Sequence, residues 1–405
     1  MTSEERHELR YQRRKSIRDA KKQRKAELMD FKKVFTTGHL YNAYRKCIKG
    51  VKWKSSTQKY IDNATLHIYK TKKKLLDGTF RTDGFYEFDL YERGKHRHIK
   101  SVTMHERVVQ RCLCDYSMVP LLGDTFIYDN GASQKNKGYH FAIRRMVKHL
   151  QQHYRKHGTE GYILLFDFSK FFDSVSHKVV NWILRKQYED KWLLGLILHF
   201  VRSFGDVGLG LGSQISQTLS VASANPLDHY IKEKLGIREY ARYMDDGYLI
   251  HHDKNYLQKC LEDIRLICEK LEINLNLKKT QIVKLSHGFT WLKCRFYLLP
   301  SGKVVQKIYK RSVTKMRQKL KTFKRLLDSG EMTLKQIREG IQSWFAYALN
   351  FDACGTVKNM ILLIKELFGI KNMKELLKVK KLKRNRIKKK MRYVQYFVNE
   401  MVQAA

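Results

Sequence analysis

Residues 162 to 168 read Tyr-Ile-Leu-Leu-Phe-Asp-Phe, a continuous apolar run of the length of a buried central strand, interrupted near its end by one acid, Asp167. Residues 238 to 250, Arg-Glu-Tyr-Ala-Arg-Tyr-Met-Asp-Asp-Gly-Tyr-Leu-Ile, predict a strand, a tight turn and a second strand. The Asp-Asp-Gly step is expected to supply that turn, because Asp and Gly tolerate positive φ. Farther along, the period changes. Val313, Met316, Leu320, Phe323 and Leu327 recur at three- and four-residue steps, and Lys315, Arg317, Lys319, Lys321, Lys324 and Arg325 fill the gaps. That pattern predicts an amphipathic helix with a basic outer face. Thr333-x-x-Gln336 reads as a capping box opening a second helix that buries Leu334, Ile337, Ile341 and Trp344. A third helix is expected from about Val357 to Leu367. The longest apolar stretch, Trp192 to Val201, contains His199 and is too short to span a bilayer. The first residues are charged and lack a signal-peptide core, so neither secretion nor membrane insertion is expected.

Composition narrows the class. The 405 residues include 81 Lys and Arg against 39 Asp and Glu, a formal net charge of +42. Such an excess is the footprint of nucleic-acid binding, with affinity that falls as salt rises. Ribosomal and chromatin proteins are as basic, but 43% hydrophobic residues provide the material for a large core. Prolines occur only at 120, 226 and 300, with no Pro/Ser-rich linker, so the subdomains are expected to share one continuous body. Seven cysteines, odd in number and without Cys-x-x-Cys spacing, argue against a zinc ribbon or a disulfide framework and fit reduced thiols in a cytoplasmic protein. Both ends carry basic runs: ten Lys or Arg between residues 6 and 25, and 12 between Lys371 and Arg392 against one acid, Glu375. Such arms are either solvated or contact RNA or an accessory protein.

The candidate chemistry lies in three carboxylates. Asp245 and Asp246 cap the expected hairpin, where side chains are fixed yet reachable by a divalent ion. A charge at the end of a buried strand is costly unless paired or bound to metal, so Asp167 requires a counterpart, and Asp245 is the candidate. Acids from two neighbouring strands can hold two magnesium ions about 4 Å apart, one activating a 3′-hydroxyl and the other steadying departing pyrophosphate. Each residue alone also has a plainer reading: Asp-Asp-Gly as a turn, and Asp167 as a helix cap beside Ser169 and Asp173.

Together these segments resemble those of reverse transcriptases. Phe166-Asp167-Phe168-Ser169-Lys170-Phe171-Phe172-Asp173-Ser174-Val175 is similar to the first catalytic motif of the palm, and Tyr243-Met244-Asp245-Asp246 to the metal-binding box that follows. The resemblance implies Asp167, Phe168, Asp245 and Asp246 as metal ligands, Phe172 as the steric gate selecting dNTPs, and Tyr243 and Met244 as template–primer contacts. Leu211-Gly212-Ser213-Gln214-Ile215-Ser216-Gln217 and Ala224-Asn225-Pro226-Leu227-Asp228 resemble the template- and nucleotide-contacting motif. That places Gly212 and Gln217 at the nucleotide and Ser216 at the template. Most bacterial relatives have Gln-Gly and Ser-Pro at the two ends of this motif. The Gly-x-x-x-Ser-Gln form here is similar to that of diversity-generating retroelement reverse transcriptases, whose copying of adenine is error-prone.

Lys95, Arg97 and Glu106-Arg107-Val108-Val109-Gln110 resemble the fingers segment whose cations hold the triphosphate. Tyr128 to His140 resembles the next fingers motif, with Gln134 where relatives have Arg and Lys135 and Lys137 as substitutes. Leu275-Asn276-Leu277-Lys278-Lys279-Thr280 resembles the motif whose lysine, here Lys279, protonates pyrophosphate; on residue type alone Lys279 is as well a surface lysine. His287 to Cys294 resembles the primer grip, with Leu292-Lys293 where relatives read Leu-Gly.

The resemblance therefore implies an α+β right-hand polymerase with an antiparallel palm, interleaved fingers, a helical thumb and basic extensions. Its expected divisions are an N-terminal arm over 1–34, fingers and palm over 35–300, thumb over 301–370 and tail over 371–405. Two Mg2+ ions, with Mn2+ as a substitute, an RNA template, a primer, the DNA product and dNTPs are the implied ligands. A noncoding RNA scaffold and a basic accessory protein are further implied partners, in a bacterial or phage-encoded cytoplasmic protein. The implied biology is a diversity-generating retroelement or, alternatively, phage defence through cDNA made from a noncoding RNA. An RNA-binding maturase with a vestigial polymerase site is the rival from another class. No appended RNase H or endonuclease is expected, since no further acidic or Cys/His cluster occurs.

Overall fold

The computed structural model describes residues 1–92 and 95–369, without the side chains of Glu92 and Lys95; the basic tail expected over 371–405 lies outside the described residues. Among the described residues, helices and nine strands make a mixed α+β fold of two compact units. One comprises Met1–His149 with Tyr162–Ile282, the other Leu150–Gly161 with the chain from Val283 onward.

In the first unit, β1 (Phe85–Glu92) and β2 (Lys95–Val102) form an antiparallel hairpin. A second sheet has the order β4-β5-β3-β6, from β3 (Tyr162–Asp167), β4 (Tyr240–Tyr243), β5 (Asp246–His251) and β6 (Gln281–Lys284). β3 is buried from Ile163 to Asp167, as a run apolar on both faces requires. The helix Lys254–Lys270 packs on β3 and β5, burying Leu257, Cys260, Ile264 and Cys268. These side chains join one core with Leu164, Phe166, Leu249, Ile197, Phe200 and Leu219.

The carboxylate hairpin forms, but its turn lies one residue earlier than expected. Tyr243 pairs with Asp246, leaving Met244 and Asp245 as the two loop residues. Met244 takes the positive φ, +56°, that a loop of this length demands at its first position. Gly247 is not a turn residue. It lies within β5 opposite Phe166, and a Cβ there would fall 2.2 Å from Phe166 Cζ. Absence of a side chain, rather than conformational freedom, is what this position uses.

The N-terminal arm is a single helix, Ser3–Met29, opened by a capping box between Thr2 and Glu5, and none of its residues is buried. All seven cysteines are free, and no helix among the described residues is long and apolar enough to cross a membrane.

In the second unit, β7 (Phe289–Trp291), β8 (Cys294–Leu298) and β9 (Val304–Ile308) form an antiparallel sheet. Leu292 and Lys293 make its first turn, both at positive φ. The three expected helices follow as Lys310–Asp328, Leu334–Ala348 and Cys354–Phe368. Met316, Leu320 and Phe323 are buried, and the Thr333–Gln336 capping box is present. Leu334 is exposed, and Phe345 joins Ile337 and Ile341 in the core where Trp344 was expected. Residue 334 follows the cap directly, at the end of the buried stripe, so its side chain escapes the interface. The boundary between the two compact units falls at Ile282. β9 is tied to the loop before the last helix by a reciprocal pair of bonds, Asp352 N–H to Gln306 O at 2.7 Å and Gln306 N–H to Asp352 Oδ2 at 3.0 Å.

Candidate active site

β3 and β5 run antiparallel in a register that sets Asp167 opposite Asp246. Asp245 joins them from the loop, where its carbonyl accepts the Phe168 N–H at 3.2 Å. Carboxylate oxygens of Asp167, Asp245 and Asp246 all lie within 4.8 Å of one another. Like charges facing across a sheet repel, so this arrangement calls for a cation. Burial pushes the Asp245 carboxyl above its usual range, and the charge of Asp167 adds to the effect. Burial, then the charges of Asp245 and Asp167, push Asp246 up to about 7. Hard oxygen donors, clustered and mutually repelling, fit a divalent ion such as Mg2+ or Mn2+.

Part of the charge is met by the protein itself. Lys279 Nζ lies 2.5 Å from Asp167 Oδ2, and this hydrogen bond raises the lysine above its ordinary pKa. The loop carrying Lys279 is fastened to the end of β3. Asn276 N–H donates to Asp167 O at 2.8 Å, and its Nδ2 to Asp167 Oδ2 at 3.2 Å. Asn276 thus touches the central carboxylate and went unread in the sequence, although it sits within a segment singled out for Lys279.

The remaining expected residues divide by exposure. Phe168 is buried, and since its side chain has no donor atom only its carbonyl could ligate a metal. Phe172 is half-buried in a short 3-10 turn, with its carbonyl accepting Leu209 N–H at 2.7 Å. Tyr243 and Met244 are half-buried at the turn. Gly212 is exposed at φ +114°, and a Cβ there would lie 3.2 Å from Lys100 O; Lys100 N–H bonds Leu211 O at 3.3 Å. β2 is thereby fastened to the 211–217 motif. Ser213 caps the helix Gln214–Ser223 that follows. Gln217 is exposed on this helix, whereas Ser216 is fully buried. Arg97 is exposed on β2 opposite Leu90, and the Lys95 side chain lies outside the described residues. Gln134 bonds Asn130 O at 2.9 Å, Lys135 is exposed, and Lys137 is turned onto Tyr128 O at 2.9 Å.

Beneath the 211–217 motif, Ser213 Oγ donates to Gln110 Oε1 at 2.8 Å, and Gln110 Nε2 to Glu106 Oε1 at 2.9 Å. Glu106 is fully buried, and burial pushes its carboxyl up to about 7.

Residues 92–296 match the family described as reverse transcriptase (RNA-dependent DNA polymerase), half of the chain. The chain belongs to the reverse transcriptase family. It is 24% identical over 242 residues to protein YkfC of Escherichia coli strain K12, covering 49% of the chain and 62% of YkfC. Among solved structures it is similar to a telomerase from Candida albicans in complex with a TWJ fragment of telomeric RNA, at TM-score 0.44 and 11% identity, covering 74% of this chain and 62% of that one. An apo telomerase from Candida tropicalis matches at TM-score 0.46 and 14% identity, over 71% of this chain and 60% of that one. The chain spans under two thirds of the length of these proteins.

Proposed function

We propose that this chain copies RNA into DNA from dNTPs, with two divalent cations, Mg2+ or Mn2+, held by Asp167, Asp245 and Asp246. The observation carrying this reading is the three-carboxylate cluster at the β3 and β4–β5 ends within a chain of the reverse transcriptase family. Such ions, when bound, make the primer 3′-hydroxyl nucleophilic and offset charge on the leaving pyrophosphate. The chain's own residues would supply the rest. Lys279 holds a proton on Nζ beside Asp167, where it can pass to pyrophosphate. Phe172 offers a half-buried ring as the sugar gate. Arg97 with Lys95, and Gly212 with Gln217, would contact the triphosphate and the nascent pair, and Tyr243 and Met244 the template–primer; Ser216, expected there too, is fully buried and does not reach it. In this reading the first unit carries palm and fingers, and the helices from Lys310 to Phe368 form the thumb.

Within the family, the Gly212 to Gln217 motif supports the error-prone polymerase of a diversity-generating retroelement, working with a structured noncoding RNA and a basic accessory subunit. The test is to supply purified protein with a defined RNA template, RNA from its flanking locus, Mg2+ and dNTPs, and to sequence the DNA made. Substitutions concentrated opposite template adenines support the retroelement. Faithful or repetitive cDNA favours the defence role, and no DNA under any priming condition sinks the polymerase reading. Asp245→Ala is the control: RNA binding persists, while synthesis above about a hundredth of the wild-type rate contradicts the metal assignment.

A further inference from the structure

Behind the catalytic turn lies an ion pair closed off from solvent. Arg242 and Asp228 are both 0% exposed. Arg242 Nε donates to Asp228 Oδ1 at 2.7 Å and Nη2 to Oδ2 at 2.6 Å, the two-pronged geometry that a guanidinium presents and an ammonium does not. Asp228 is held from two more sides, by Tyr240 OH on Oδ1 at 2.5 Å and Asn130 Nδ2 on Oδ2 at 3.3 Å. The guanidinium then reaches outward. Nη2 also donates to Val221 O at 3.0 Å, in the helix of the 211–217 motif, and Nη1 donates to Met244 O at 2.7 Å.

That last bond falls on the strained residue of the metal-binding loop. A non-glycine at φ +56° lies in a backbone region that L side chains rarely adopt. The Met244 carbonyl begins the peptide unit that carries Asp245, so its direction sets where that carboxylate emerges. Removing one partner of a fully buried pair leaves the other uncompensated, and hydrophobic packing would serve stability as well. The specific feature here is the spare donor directed at the loop.

We propose that Arg242 is a positioning residue for the metal site, with Asp228 as its anchor: the buried pair clamps the Met244 carbonyl and so holds Asp245 and Asp246 in metal-binding position. The inference rests on the polymerase reading for its consequence in DNA synthesis, but not for its consequence in metal binding. Asp228 orients the fork, Tyr240 and Asn130 orient Asp228, and Val221 O fixes the remaining edge of the guanidinium. The clamp therefore also links the 211–217 helix to the catalytic loop.

The experiment compares full-length wild type with Arg242→Lys, Arg242→Gln and Tyr240→Phe. Mn2+ binding is counted by the paramagnetic resonance of the free ion, alongside thermal unfolding, RNA binding and primer extension across an Mg2+ series. Arg242→Lys keeps the charge and loses the fork. Its folded fraction binds RNA as wild type does, while its Kd for Mn2+ and its half-saturating Mg2+ rise about tenfold or more. Tyr240→Phe leaves the fork intact and shows a smaller shift in the same direction. Lowered Tm with unchanged metal affinity in the folded fraction would make the pair merely structural and overturn the proposal. Should Arg242→Lys not fold, Tyr240→Phe decides, and wild-type Mn2+ affinity in that variant overturns it. A wild type that binds Mn2+ yet makes no DNA sinks the polymerase reading, and the Mn2+ comparison still decides the clamp.

Discussion

Gly247→Ala inserts one methyl group where β5 faces the Phe166 ring of β3. The new Cβ would stand 2.2, 2.6 and 2.7 Å from Phe166 Cζ, Cε1 and Cε2, against an ordinary contact of 3.4 Å or more. Strand or ring must therefore yield by about 1.2 Å. The ring cannot retreat cheaply. Phe166 is 2% exposed, with Phe168 at 5.6 Å and Tyr240 at 6.5 Å between ring centroids. Overpacking of this kind costs about 1–3 kcal/mol, or roughly 2–8 °C in Tm for a unit of this size. Any separation of the strands is passed on directly, because the next pair in register is Asp167 with Asp246. A displacement of about 1 Å at reacting groups lowers the rate by about 100-fold. Calorimetry and single-nucleotide extension on Gly247→Ala, Phe166→Leu and the double variant form a closed cycle. Phe166→Leu removes the obstructing ring atoms, so the double variant should recover most of the Tm and rate lost in Gly247→Ala. Additive losses, or a Gly247→Ala protein with unchanged Tm, would refute the steric argument.

Three further outcomes follow from the structure. Phe172→Ala, which removes a half-buried ring in the short turn after β3, should lower selection for dNTPs over rNTPs about tenfold or more; unchanged selectivity removes Phe172 from the gate. The Glu106 carboxyl, pushed from 4.5 to about 7 by burial, is favoured by folding in its protonated form. Its contribution is present below about pH 4.5 and lost as pH rises through about 7, on the order of 3 kcal/mol in all. Glu106→Gln should therefore show a shallower decline of Tm across that window than wild type, and parallel curves would contradict it. Deleting residues 1–25 should shift the remaining fold by no more than about 1 °C, since no residue of Ser3–Met29 is buried. The same deletion should flatten the salt dependence of RNA binding, because ten Lys or Arg leave with it; an unchanged slope would assign the basic helix to another partner.

Short-range signals were enough for much of this protein. The apolar run ending in Asp167, the paired strands around Asp245 and Asp246, and the three later helices with the Thr333–Gln336 capping box each depend on a period or motif within a few residues. Backbone geometry imposes those patterns before any tertiary contact exists. Charge likewise predicts a nucleic-acid partner without reference to the fold. Only the tertiary structure decided the register that opposes Asp167 to Asp246 rather than Asp245, since a one-residue slip leaves the hydrophobic run equally apolar. It also placed the turn at Met244-Asp245 and reserved Gly247 for the Phe166 ring, a requirement visible only once two strands meet. Ser216 went inside although its neighbour Gln217 faces out, as adjacent residues on a helix must when one side packs. Arg242, Asp228 and Asn276 carry no periodic signature. Burying an arginine is unfavourable until a carboxylate from a different segment and two backbone carbonyls converge on it, and chain folding alone brings those groups together.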